Sequence, residues 1–115
     1  MIAAATAALL AGGGVMASAA SAVQKCQDTG NGLLCIEHFK LKGYDATYVK
    51  RSGSTVQADF NLVCGRQRFG DEGAFWISAG ARNTYFFSVG DQGPCRIEMY
   101  DYSTGQWISS PSSHG

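Results

Sequence analysis

From Thr55 to Cys64 apolar and polar residues alternate, with Val56, Ala58, Phe60, Leu62 and Cys64 in one row and Thr55, Gln57, Asp59 and Asn61 in the other. Side chains of a strand point to its two faces in turn, so this period of two predicts a strand with one buried and one solvated side. Three further runs lie between Ala74 and Tyr102, cut apart by Gly80 and by Gly90-Asp91-Gln92-Gly93-Pro94. Their inward rows are Phe75, Ile77 and Ala79; Tyr85, Phe87 and Val89; and Cys95, Ile97 and Met99. The punctuation predicts consecutive antiparallel strands.

Earlier in the chain, Leu33 to Leu41 forms the first strand, with Leu34 and Ile36 pointing one way and Leu33, Cys35 and Phe39 the other. Tyr44 to Arg51 sets Tyr44, Ala46 and Tyr48 against Asp45, Thr47 and Val49, and Ser52-Gly53-Ser54 is a hairpin loop. Gly65 to Gly73 reads as a charged loop, and Ser103-Thr104-Gly105 turns the chain into a last strand, Gln106 to Ser109. Beyond residue 22 no window carries apolar residues at helical spacing across three turns. About seven short antiparallel strands in an all-β chain predict a β-sandwich or small barrel over 33–109, followed by a flexible tail at 110–115.

The first 22 residues are small and apolar and end in Ala20-Ser21-Ala22, the pattern of an export signal with cleavage after Ala22. A positively charged start is missing from it. Three consecutive glycines and many alanines suit a transmembrane anchor poorly. All four cysteines follow this segment, and an even number in a small exported domain predicts two disulfides. Residues 23–32 form a turn-rich segment that can bring Cys26 to Cys35. Cys64 ends one apolar row and Cys95 begins another, so antiparallel or facing strands would set them side by side. By loop-closure entropy the two bridges contribute roughly 2.7 and 3.7 kcal/mol.

Charge and motifs narrow the function by exclusion. Nine basic residues balance nine acidic ones with no basic run, which argues against nucleic acid. Asp28-Thr29-Gly30 is the triplet of aspartic proteases, but here it falls in a small disulfide loop, where an Asx-type turn explains it. His38 within a strand and His114 in the tail form no pair at metal-binding sequence spacing, so no metal or cofactor is expected, and His38 reads as an exposed strand residue. No Gly-x-Ser-x-Gly elbow is present, the acidic residues are scattered, and a non-enzymatic protein is expected.

The stretch Ile77-Ser78-Ala79-Gly80 leading into Tyr85-Phe86-Phe87 resembles the hairpin of immunoglobulin-like bacterial surface modules, in which an Ile-x-Ala-Gly turn joins two neighbouring strands. The resemblance covers about fifteen residues and implies an immunoglobulin-like antiparallel sandwich. The general plan, an export signal followed by one small β domain, looks like that of adaptor subunits of bacterial umbrella toxin particles.

Outward rows then supply the candidate site. Trp76, Phe86, Tyr100 and Tyr102 fall on them, and exposed aromatics serve to stack sugars or to anchor a protein. Weighed against this is the ordinary reading, in which a one-residue slip of register buries these rings. The expectation is a secreted interaction module, an adaptor or subunit of an extracellular protein assembly with no membrane contact after cleavage. The alternatives are a carbohydrate-binding module and a small secreted toxin or inhibitor.

Overall fold

The computed structural model describes residues 23–114, so the export signal expected at 1–22 lies outside the described residues. Within them nine strands run in chain order: β1 (Gln24–Asp28), β2 (Gly32–Phe39), β3 (Gly43–Lys50), β4 (Val56–Cys64), β5 (Gln67–Gly70), β6 (Phe75–Ile77), β7 (Arg82–Phe87), β8 (Arg96–Asp101) and β9 (Gln106–Ser109). They make two antiparallel sheets packed as a sandwich. One has the order β1-β2-β3-β7; the other has β9-β8-β4-β5, with β6 also pairing β4.

The long alternating run from Val56 to Cys64 becomes the hub of the five-stranded sheet. β8 covers one edge of β4 from Ala58 to Val63. Its other edge is shared, with β6 against Val56–Ala58 and β5 against Asn61–Cys64. The inward row of β4 (Ala58, Phe60 and Leu62) is fully buried with Ile77, Ile97 and Met99. From the opposing sheet Leu34, Ile36, Tyr44, Ala46 and Phe87 complete the core. Each large apolar side chain buried there contributes about 1.5–3 kcal/mol.

Both expected disulfides are present, Cys26–Cys35 and Cys64–Cys95. Cys26 and Cys35 stand opposite each other in the β1–β2 ladder. Cys64 ends β4 where Cys95 leads into β8, so the second bridge joins neighbouring strands of one sheet.

The structure departs from the sequence expectation in four places. β1 and β5 are additional strands; both are short, polar edge segments whose partners supply the pairing that their own pattern does not announce. The runs around Trp76, Phe86 and Tyr100 are not consecutive neighbours. β6 pairs β4 in one sheet, β7 pairs β3 in the other, and β8 returns to the first. The Ile77–Gly80 turn therefore crosses between sheets instead of closing a hairpin, and Ala79 is exposed in that crossing. Finally, the segment expected to be a flexible tail is laid along β8. Ser110 N–H donates to the Ile97 carbonyl at 2.8 Å and Ser113 N–H to the Cys95 carbonyl at 2.7 Å. The Ser110 and Ser113 hydroxyls accept in return from the N–H groups of Ile97 and Cys95.

Candidate functional site

Because Ala58, Phe60 and Leu62 are committed to the core, β4 sends Gln57, Asp59 and Asn61 to the outer face of its sheet. Asp59 stands opposite Tyr100 of β8, and Tyr100 stands opposite Trp107 of β9. One residue pair further along, Gln57 faces Trp76 of β6 and takes the Tyr102 N–H on its carbonyl at 2.9 Å. The pairings thus set out two parallel rows, Trp107–Tyr100–Asp59 and Tyr102–Gln57–Trp76.

The rings of the first row touch. Tyr100 and Trp107 have centroids 4.9 Å apart with planes at 56°, and Tyr100 meets Tyr102 edge-on at 4.8 Å and 89°. The Arg68 guanidinium of β5 lies over Trp107 at 5.6 Å from the ring centroid, within cation–π range. Arg68 and Arg96 grip Glu98 at 2.8 and 2.7 Å. Burial pulls the Glu98 carboxyl up, but the two guanidiniums outweigh it and hold the group below its ordinary range. Trp76, Tyr102 and Trp107 remain 69, 51 and 55% exposed, and Tyr100 is half-buried beneath its neighbours.

Asp59 sits at the foot of this face. Burial, followed by hydrogen bonding and repulsion from the neighbouring Asp71 carboxyl, pushes its own carboxyl up to about 6. Its Oδ1 is buried without a hydrogen-bond partner.

Three of the four aromatics singled out in the sequence therefore share one sheet face: Trp76, Tyr100 and Tyr102. They do not form one unbroken patch, because β4 lies between β6 and β8 and places Gln57 between Trp76 and Tyr102. Phe86 is elsewhere. It projects from β7 on the outer face of the other sheet, opposite Asp45 and edge-on to Phe39 at 5.7 Å.

Trp107 is the member that sequence reasoning passed over. Its signal is the single step that separates it from Ile108, which packs against the core and so turns Trp107 outward. The two histidines are a second omission. The tail's return along β8 brings their ring centroids to 4.9 Å despite their distance in sequence. His38, expected to be exposed, shares the inward parity of Leu34 and Ile36, and its side chain is only 20% exposed.

No protein-family model matches the chain, and no curated protein or solved structure matches it.

Proposed function

We propose that this chain is a secreted, non-enzymatic interaction module of immunoglobulin-like fold, an adaptor or subunit of an extracellular assembly. In this reading it holds a protein partner through Trp107, Tyr100, Tyr102, Trp76 and Arg68. The observation that carries it is the contact of Trp107, Tyr100 and Tyr102 on the outer face of one sheet, with Arg68 over Trp107, the Arg68–Glu98–Arg96 ion pairs beside them and Trp76 across Gln57 on the same face. Trp, Tyr and Arg are the residue types that dominate protein-interface energetics, and a charged rim around an aromatic centre is the usual anatomy.

The tilt of the rings favours protein over sugar. A sugar-stacking platform needs faces presented in one plane, whereas Tyr100 meets its neighbours at 56° and 89°. Strand pairing supports the immunoglobulin-like assignment: β3 with β7 in one sheet and β9-β8-β4 in the other correspond to the B–E and G–F–C pairings of that fold. The fold's inter-sheet disulfide is replaced by a bridge within one sheet. Two disulfides in so small a domain suit an oxidising compartment, and hence export.

The test is the native size of the protein in culture fluid. A large complex that dissociates in the Trp107→Ala and Tyr102→Ala variants is expected. Wild-type protein migrating as a lone domain would refute the adaptor reading, and retention on insoluble polysaccharide would replace it with the sugar-binding one.

A further inference from the structure

We propose that His38, Asp91 and His114 form a binding site for a divalent ion of the zinc class. The three come from separate parts of the fold: β2, the loop between β7 and β8, and the segment after β9. One ligand atom from each lies within 4.8 Å of the others. His38 Nε2 and Asp91 Oδ1 are 3.5 Å apart. Tetrahedral zinc, with bonds of about 2.0–2.2 Å to nitrogen and oxygen, sets neighbouring ligand atoms roughly 3.3–3.5 Å apart. That pair already has the needed separation. His114 is exposed and can close the remaining distance by side-chain rotation.

Each ligand is held from behind, as metal ligands generally are. His38 is stacked on Tyr44, with centroids 4.7 Å apart and planes at 24°. The Tyr44 hydroxyl donates to the Gly93 carbonyl at 2.6 Å and accepts from the Gln92 N–H at 2.9 Å, which fixes the loop carrying Asp91. Asp91 Oδ1 accepts the Gly93 N–H at 2.9 Å, which holds that oxygen toward His38 and leaves it a second lone pair for an ion. His114 Nδ1 is 2.7 Å from Ser113 Oγ, and that oxygen also accepts from Cys95 N–H. With Nδ1 engaged, Nε2 is the ring's remaining ligand atom.

A second observation points to a missing partner. His38 Nε2 is buried without any hydrogen bond, although it is directed at a carboxylate. A buried polar nitrogen left in that state is costly, and a bound cation accepted by the nitrogen and by Asp91 removes the cost. Two imidazoles and one carboxylate match the donors zinc takes, and three protein ligands leave a fourth position for water or a donor from a bound molecule. The ion would tie the segment after β9 to β2 and to the β7–β8 loop.

These are the chain's two histidines, so histidine-dependent metal binding can come from nowhere else in it. The experiment uses untagged, disulfide-bonded protein stripped of metal and titrated with zinc chloride in a calorimeter. One ion per chain is expected, with affinity reduced at least tenfold in both His114→Ala and Asp91→Asn. Cobalt(II) should give the visible absorption of a four-coordinate nitrogen–oxygen site in the wild type and lose it in His114→Ala. Since His114 is exposed, that variant keeps the wild-type fold, which near-ultraviolet dichroism verifies. Absence of saturable binding up to millimolar zinc, or wild-type affinity in His114→Ala, would overturn the proposal.

Discussion

Trp107 stands directly across the β8–β9 ladder from Tyr100, their ring centroids 4.9 Å apart, on the face opposite the core. Such a pair contributes about 0.5–1.5 kcal/mol beyond its area. Trp107→Ala should therefore lower stability by about 1 kcal/mol, and a double-mutant cycle with Tyr100→Ala should return a coupling of that size in urea denaturation. Trp76 has no such partner ring among the described residues and is 69% exposed. Its replacement by Ala should change stability by no more than about 0.5 kcal/mol. A loss of about 3–5 kcal/mol, the signature of a truncated core aromatic, would show that the ring is buried.

The two disulfides should differ in both strength and accessibility. Cys64–Cys95 closes a separation of 31 residues and Cys26–Cys35 one of 9. Loop-closure entropy then assigns about 3.7 and 2.7 kcal/mol to them, respectively. The Cys64→Ala/Cys95→Ala double variant should be the less stable of the two double variants in urea. Cys64 and Cys95 are buried while Cys26 is exposed, so a mild reductant should open Cys26–Cys35 first, as peptide mapping after brief reduction would reveal. The reverse order would contradict the burial of the second bridge.

How much of this was legible in the sequence follows from what each residue depends on. The row Ala58, Phe60 and Leu62 depends only on local alternation, and so it was readable along with the outward direction of Trp76, Tyr100 and Tyr102. Which strands neighbour each other depends on non-local pairing, which alternation does not encode. Hence β6, β7 and β8 read as one run of adjacent strands when they alternate between sheets. Gln67–Gly70 has little apolar pattern because it is four residues long and only Phe69 of it packs against the core. The approach of His114 to His38 was the least legible feature. It rests on backbone hydrogen bonds from Ser110 and Ser113 to β8, made by residues whose composition is that of a loop.

Gly43 shows where backbone sterics leave no choice. Its φ is +149°, and a β-carbon there would run into the carbonyl oxygen of Phe87 on the paired strand β7. Glycine is what permits the β3–β7 ladder to close at this point. Gly43→Ala should destabilise the domain by about 3 kcal/mol or more, combining backbone strain with a displaced ladder. Gly65→Ala has open space around it and only its φ of +61° to contend with, so it should cost about 1 kcal/mol. Thermal unfolding of the two variants side by side checks the ranking, and equal losses would mean that β7 does not approach Gly43 so closely.

Asp59 gives the stability a pH dependence whose sign is opposite to that of a salt-bridged carboxylate. Its carboxyl is raised from 3.8 to about 6, first by burial and then by Asp71 beside it. Between those two values the folded state holds a proton that the unfolded state has released. Stability must therefore fall as pH rises through this window and level off above it. Below about pH 4 the group is protonated in both states, and the full favourable difference is present. Solvent reaches part of the side chain, so the loss across the window is on the order of 1 kcal/mol. Asp59→Asn keeps the size and removes the charge. It should be more stable than wild type at pH 7 by that amount, and the difference between the two proteins should shrink to nothing near pH 4. Urea midpoints measured at half-unit intervals from pH 4 to 8 provide the comparison. If the two curves run parallel across that range, Asp59 titrates normally and is not crowded by Asp71.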